Sequence, residues 1–421
     1  MLAGEGEGVL EMVAATCETR SQWEVVLERP LEGACLRGNT RIVTKLVLAG
    51  ARVTHRSFML AATRCRWDTL LELLSLTRND ELAGVSLLKL LRVAIKMGQT
   101  RVTRALLEAS DGGLFLERTL ILAVRDAGDA AEEIVGLLLN HPGAPKVIDW
   151  FGFRGENPLL IASRKGLPVI CSMLLDKGAA VNAQHVAGKP NPLYNAVVNG
   201  DLRTVHVLLR AGANANVPCG VDGRTVVHFA CQQGDSRAEI LEALIKHGAD
   251  VKALDEQNIT PLHLASGVAP SCHNTIRLLV TAGADVNARK LNGATPLHSA
   301  SRHIRVCAIR ALLWYGADET IVTKNSGKTP LQVVGTRLAI TPPTDVELTR
   351  GLLIGAPAER AWRRRMCIVL CRARYASNVV TSSSKQVRRV YQIVRRSQVG
   401  SIRTVVNAAS DDVFRNIVGY L

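Results

Sequence analysis

Residues 260–288 decide the fold of this chain. They open with Thr260-Pro261-Leu262-His263-Leu264-Ala265 and close with Gly283-Ala284-Asp285-Val286-Asn287-Ala288. The opening triplet has five counterparts, Asn157-Pro158-Leu159, Asn191-Pro192-Leu193, Thr225-Val226-Val227, Thr295-Pro296-Leu297 and Thr329-Pro330-Leu331. The middle residues of successive triplets lie 34 or 35 positions apart. A step of that size predicts a repeat protein, in which one short unit cannot bury its apolar face and stacked neighbours complete the core.

Each unit reads as a capped helix followed by a second helix. Thr or Asn at the start can accept a hydrogen bond from the first helical turn, and Pro at the first helical position gives up an N–H that has no partner there. The second helix carries paired apolar residues, as in Leu278-Leu279-Val280, and ends at a Gly-Ala pair such as Gly283-Ala284. Glycine at that point suits the left-handed residue that ends a helix. The sequence therefore predicts two helices and an extended segment per unit.

These motifs resemble the ankyrin-repeat family, and the likeness is specific over about residues 153–322. It implies an all-α repeat solenoid of stacked helix–turn–helix units with β-hairpin loops and a concave face of hairpins and inner helices. It also implies that the motif histidines hydrogen-bond the backbone and link adjacent units. The structural motif residues are Thr260, Pro261, Leu262, His263, Thr295, Pro296, Leu297, His298, Thr329, Pro330 and Leu331.

Four segments are predicted along the chain. Residues 1–19 form an N-terminal cap segment, residues 20–152 four degenerate ankyrin-like repeats, residues 153–357 the ankyrin repeats, and residues 358–421 a basic helical C-terminal region. The second segment keeps the internal distances of a unit without the Pro signal, and a separate helical domain is the alternative there. The last unit, 325–357, departs from the pattern because Gln332 replaces the histidine and 341–344 reads as a loop.

Positive charge is concentrated in the C-terminal tail. The whole chain carries a net charge of +15, and residues 360–421 hold 13 Lys or Arg against 2 acidic residues. Trp362, Met366 and Val369 fall at helical spacing among the arginines, so the tail is predicted to contain helices that cap the last repeat. A basic segment of this kind also suits an acidic partner or nucleic acid.

Other readings of the tail stay open. It fits the anchor spacing of a calmodulin-type target helix. Leu370-Cys371-Arg372 and the closing apolar helix are distantly similar to the SOCS box of ubiquitin-ligase substrate adaptors, although the tail is longer and more basic and lacks the Pro-rich stretch of that box. The tail also weakly resembles those of algal ankyrin-repeat families. Nuclear targeting through the Arg pairs is a further alternative.

The sequence offers no enzyme signature, so no catalytic, cofactor-binding or metal-binding residue is predicted. Gly327-Lys328-Thr329 resembles the end of a phosphate-binding loop, but Val322 stands where that motif requires glycine. Cys367 and Cys371 lie one helical turn apart, and no nearby ligand pair completes a zinc site. The scattered cysteines predict free thiols in a reducing compartment, cytoplasmic or nuclear. Neither a signal peptide nor a transmembrane segment is expected.

The sequence thus predicts a non-enzymatic scaffold or adaptor that binds another protein through its hairpin tips and the concave inner-helix face. An acidic partner or nucleic acid bound through residues 360–421 is the alternative. The candidate partner-binding residues are Arg164, Lys165, Gln184, His185, Gln232, Gln233, Asp255, Glu256, Arg289, Lys290, Arg302, His303, Lys324 and Asn325.

Overall fold

The computed structural model describes residues 20–77, 86–110, 116–152, 155–184, 190–220, 222–269, 271–334 and 344–359. These residues form helices joined by turns, and none of them is in a β-strand. The fold is the all-α repeat solenoid that the sequence predicts. By their contacts the residues divide into two compact units, Met1–Pro261 with Thr281–Gly283, and Leu262–Val280 with Ala284–Leu421.

The first unit consists of helix pairs. Its helices are α1 (Arg20–Arg37), α2 (Thr40–Leu48), α3 (His55–Thr63), α4 (Trp67–Leu76), α5 (Leu87–Lys96), α6 (Thr100–Glu108), α7 (Leu116–Asp126), α8 (Ala131–Leu139), α9 (Ala144–Val147), α10 (Pro158–Lys165), α11 (Pro168–Asp176), α12 (Pro192–Asn199), α13 (Leu202–Arg210), α14 (Val226–Gln232) and α15 (Ala238–Lys246). Short 3-10 turns, Gly128–Ala130 and Gly234–Arg237, precede α8 and α15. Four of these pairs fall within residues 20–152, where the Pro signal is missing.

The helices of the first unit form two rows. The first helices of successive pairs, α1, α3, α5, α7, α10, α12 and α14, each contact the next in that order, and so do the second helices from α2 to α15. We call the first row the inner helices and the second row the outer helices. Leu70, Leu106, Leu138, Leu174 and Leu208 of the outer row are fully buried, so apolar side chains fill the space between pairs. Neighbouring pairs therefore share one continuous core.

The caps of the inner helices follow the sequence prediction. Asn157 Oδ1 accepts the Leu160 N–H at 2.8 Å, and Asn191 Oδ1 accepts the Tyr194 N–H at 2.7 Å. At the other end, Gly200 has φ +83°, and an added Cβ would overlap the guanidinium of Arg237 from the following pair. That arginine donates to the Val198 carbonyl at 3.3 Å, so it also satisfies an open carbonyl at the end of α12.

The second unit continues the same design. It contains α16 (Pro261–Gly267) from Leu262 onward, α17 (His273–Thr281) up to Val280, α18 (Pro296–Arg302), α19 (Val306–Trp314), a 3-10 turn (Leu331–Val333) and α20 over residues 344–359. The last Pro motif differs from the others. Leu331 is 36% exposed, whereas Leu262 and Leu297 at the same motif position are fully buried. Leu331 begins only a short 3-10 turn, so this motif residue is not a core residue as it is in the earlier repeats.

Candidate functional site

The motif histidine of the first unit is part of the backbone framework. His228 Nδ1 accepts the Thr225 N–H at 3.2 Å, and its Nε2 lies 3.0 Å from the Ile259 carbonyl, to which it donates. The imidazole is fully buried, and this burial lowers its pKa. Both ring nitrogens are therefore engaged in linking α14 to the loop of the next repeat, which leaves neither for a metal or a substrate.

The second unit repeats this arrangement at His298, and His263 makes the same type of bond to the next repeat. His298 Nδ1 accepts the Thr295 N–H at 3.2 Å and its Nε2 lies 3.0 Å from the Lys328 carbonyl. His263 Nε2 lies 3.1 Å from the Ala294 carbonyl. In the last motif Gln332 takes over the first of these roles, because its Oε1 accepts the Thr329 N–H at 2.9 Å. The motif histidines are thus structural residues.

Four of the buried cysteines do not have the character of nucleophiles. Burial raises the pKa of Cys35 and of Cys219 to about 12 and that of Cys171 to about 11, and it raises the pKa of Cys231 as well. A reactive cysteine needs a lowered pKa and access to solvent. These thiols stay protonated and serve as small apolar core residues.

The loops between helix pairs end in tight turns that lie side by side. In the first unit the Asp255 N–H donates to the Ile259 carbonyl at 3.1 Å, and the Glu256 N–H donates to the Asp222 carbonyl of the preceding loop at 3.0 Å. In the second unit the Lys290 N–H donates to Ala294 at 3.0 Å. Backbone hydrogen bonds thus close and join the tips, but the described tip residues form turns and not the β-hairpins that the family resemblance implied.

Asp255 requires a correction to the predicted contact set. Its side chain is 1% exposed, because Oδ2 accepts a hydrogen bond from Arg224 Nε at 3.1 Å and Oδ1 accepts the Gln257 and Ile259 N–H groups at 2.9 and 2.8 Å. Two N–H groups of its own loop and Arg224 of the preceding loop hold this carboxylate, so it stabilises the turns and is not part of the exposed tip surface. Glu256, next in the chain, is exposed at the tip.

The other candidates in the first unit lie at the ends of inner helices or in the loops. Arg164 is exposed and pairs with Glu156, and Lys165 is exposed and donates to the Arg125 carbonyl of the preceding inner helix. Gln184 is half-buried and donates to the Pro218 carbonyl at 3.3 Å. At the end of α14, Gln232 is half-buried and Gln233 is exposed. His185 lies outside the described residues.

The second unit places basic and apolar side chains at its tips. Arg289, Lys324 and Asn325 are exposed, Lys290 is half-buried, and the Lys324 N–H donates to the Asn292 carbonyl of the neighbouring tip at 2.9 Å. Arg302 and His303, at the end of α18, are half-buried. Two apolar tip residues escaped the sequence prediction, Leu291 at 57% and Val322 at 45% exposure. The sequence feature that could have identified them is an apolar residue in a turn whose other residues are mostly charged.

Within the described part of the chain, no cluster of three His, Cys, Asp or Glu side chains is placed to hold a metal ion. The helices in that part are also too short or too polar for any of them to cross a lipid bilayer.

Comparisons with known proteins agree with this geometry. A family model for ankyrin repeats matches residues 120–219 and 193–290. The chain is 37% identical over 121 residues to an ankyrin repeat protein of fowlpox virus, covering 28% of this chain and 34% of the relative. It is 31% identical over 113 residues to the B-cell lymphoma 3 protein homolog of Mus musculus, covering 27% of this chain and 25% of that protein. The chain thus spans about a third or less of the length of these relatives.

Among solved structures, the chain is similar to the human ASB11 ankyrin repeat domain, with 24% identity and a TM-score of 0.44. The match covers 56% of this chain and 97% of that domain.

Proposed function

Because this is an ankyrin-repeat protein, we propose that it is a non-enzymatic scaffold or adaptor that binds a partner protein through its loop tips and the exposed face of its inner helices. Ankyrin repeats generally serve as protein-binding modules, and the polar groups that could suggest chemistry here are engaged in the fold. The motif histidines bond the backbone, and the buried thiols have raised pKa values.

The proposal rests on one observation, namely that the tips of the second unit expose both aliphatic and basic side chains. Leu291 and Val322 are 57% and 45% exposed, and they lie on turns that also expose Arg289 and Lys324. The hydrogen bond from Lys324 N–H to Asn292 carbonyl, 2.9 Å long, ties the two turns together. Protein-binding surfaces combine apolar residues with a polar rim, and these neighbouring turns expose residues of both kinds.

Site-specific photocrosslinking in cells tests this function. A benzoylphenylalanine residue is incorporated at position 291 or, as a matched control, at position 310, which is exposed on the outer helix α19 of the same unit. We expect discrete adducts with one or a few proteins from position 291 and only diffuse background from position 310. Equal adduct patterns from both positions would contradict a specific tip surface.

A second set of predictions belongs to residues 360–421, which lie outside the described residues. Binding of nucleic acid or an acidic partner, and a substrate-adaptor role with a SOCS-like tail, therefore stay predictions from the sequence. Cytoplasmic or nuclear localisation likewise stays a prediction from the sequence.

A further inference from the structure

Four inner helices of the first unit carry a basic residue at the same position. Each helix has a buried alanine whose carbonyl accepts an N–H from the turn that follows, namely Ala34, Ala61, Ala94 and Ala123. Five residues before each of them stands an exposed cation, and these cations are Arg29, Arg56, Lys89 and Arg118. In the later repeats the same position holds the Asn or Thr cap, as at Asn157 and Asn191. The four earlier helices begin before this position, so each has an exposed helical cation where the later repeats have a cap residue.

Helix α5 of this row carries exposed basic residues along its whole length. Lys89, Arg92 and Lys96 of α5 are its exposed residues, and all three are basic. They are spaced i, i+3 and i+7, which places them on one face of the helix. We call Arg29, Arg56, Lys89, Arg92, Lys96 and Arg118 the basic inner face.

These side chains share one continuous surface, because α1, α3, α5 and α7 contact one another in sequence. Packed helices lie about 8–10 Å apart, so four of them span about 30 Å, which about nine extended residues would cover. The same helices also carry half-buried acids, namely Glu28, Glu32 and Glu117. Glu32 lies 3.4 Å from Arg56 Nε, yet the Arg56 side chain stays 75% exposed. A pair exposed in this way is weak and leaves the arginine available to a partner.

The side chains that lie between the cations indicate what kind of ligand would fit this surface. Val26 and Leu36 of α1 are 44% and 38% exposed, and Met97 after α5 is 49% exposed. The aromatic residue of these helices whose side chain is described, Phe58, is fully buried, so the described surface offers no stacking platform for bases. Cations interleaved with aliphatic side chains fit acidic residues interleaved with leucines.

Resting on the protein-binding function proposed above, we propose that the basic inner face binds an acidic, leucine-containing segment of a partner protein. The segment would lie across the four inner helices, with its carboxylates on the column of cations and its apolar side chains on Val26, Leu36 and Met97. The basic inner face and the tips of the second unit have no residue in common. The photocrosslinking experiment can therefore fail without affecting this proposal, and the reverse also holds.

Fluorescence anisotropy with the full-length chain tests the proposal. The probe is a labelled 24-residue peptide of alternating Glu-Glu-Leu units. The key variant is Arg92→Glu with Lys96→Glu on α5, and the matched control is Arg101→Glu with Arg104→Glu on the outer helix α6 of the same pair. All four residues are exposed, both double variants change the net charge equally, and both retain the basic tail. Circular dichroism checks that each variant is folded.

We expect the α5 variant to weaken peptide binding at least tenfold and the α6 variant less than twofold. A Glu-Glu-Ser peptide of equal charge should bind several-fold more weakly than the leucine peptide. Equal losses in the two variants would overturn the proposal in favour of general charge attraction. Single-stranded RNA of equal charge that binds more tightly than the peptide, with the same loss in the α5 variant, would overturn it in favour of nucleic acid.

The chain's own N-terminal segment is the remaining alternative occupant. Residues 1–19 contain Glu5, Glu7, Glu11 and Glu18 and no Lys or Arg. If the full-length chain binds the peptide with the expected contrast between variants, the partner proposal holds. Binding that appears only after residues 1–19 have been removed would overturn it and assign the face to that segment.

Discussion

At the scale of single residues, the imidazole of the repeat motif connects the cap of one inner helix to the loop of the next repeat. His298 does this by accepting the Thr295 N–H and donating to the Lys328 carbonyl. Both bonds are made by the neutral ring with its proton on Nε2. Burial lowers the pKa of His298, because the charged form loses its hydration there.

The pH dependence of stability follows from this lowered pKa. As pH falls below about 6.5, the unfolded chain takes up protons on this histidine before the folded chain does. The contribution of this histidine to the free energy of unfolding should therefore be complete above about pH 6.5 and should be lost progressively as the pH falls below that value. His298→Gln should keep the cap bond, since Gln332 makes the same bond to Thr329 in the last motif, and should lose only the bond to Lys328.

We expect His298→Gln to cost about 1 kcal/mol at pH 7.5. Its melting temperature should also fall less than that of the wild type between pH 7 and pH 5. Thermal melts monitored by circular dichroism at several pH values measure both effects. An unchanged pH slope in the variant would show that this ring does not titrate with unfolding.

At the scale of elements, the sequence predicts a repeat well where local chemistry and packing agree. The Asn-Pro and Thr-Pro signals place the inner helices from α10 onward, because the cap and the first helical position each favour these residues. The pairs before α10 are visible only as spaced apolar residues and are harder to delimit. Asp255 was misplaced because a charged residue in a turn suggests exposure, whereas Arg224 of the preceding loop buries it.

Contacts between repeats account for most of what the sequence did not predict. Arg237 covers Gly200 from the following pair, and nothing near either residue indicates that contact. Cys65 and Ile304 adopt φ values of +56° and +54° at turns where glycine usually stands, a conformation that propensity disfavours for both. The basic inner face likewise emerges only when four helices are aligned in space.

A core substitution in an outer helix tests whether neighbouring pairs depend on one another. Leu208 of α13 is fully buried, and α13 contacts both α11 and α15 as well as its own partner α12. Leu208→Ala should lower the free energy of unfolding by about 3 kcal/mol, through lost burial and the cavity left behind. Arg210→Ala on the same helix is exposed and should change it by less than about 0.5 kcal/mol.

Hydrogen exchange followed by mass spectrometry locates the damage from Leu208→Ala. In a stacked repeat the loss of protection should extend to α11 and α15, because each pair is stabilised largely by its neighbours. Loss confined to α12 and α13 would show instead that the pairs of the first unit are independently stable.

At the scale of the whole molecule, two of the basic regions bear on the binding of an acidic ligand, the C-terminal tail and the basic inner face. Residues 360–421 carry 13 of the 52 Lys and Arg residues and 2 of the 37 acids. Among the described residues, α5 and its neighbours carry the basic inner face. An acidic ligand could be drawn to either region, so experiments on one region must keep the other intact.

Deletion of residues 360–421 decides what the tail contributes. The truncated chain would still include α20, whose Leu353 and Ala356 are buried. If Trp362, Met366, Val369 and Leu370 cap the last repeat, as the sequence predicts, truncation should expose apolar surface. The melting temperature should then fall or the protein aggregate, and Trp362 emission, isolated by comparison with Trp362→Phe, should resist quenching by iodide.

A tail that is instead a free basic arm predicts the opposite set of results. The melting temperature would not change on truncation, and iodide would quench Trp362 readily. Binding of single-stranded RNA would be lost with the tail, and in the intact chain it would weaken steeply with salt as phosphate contacts release counterions. We expect the capping pattern, because the apolar residues of the tail recur at helical spacing and a stack of repeats needs a covered end. Unaltered stability together with an exposed Trp362 would refute it.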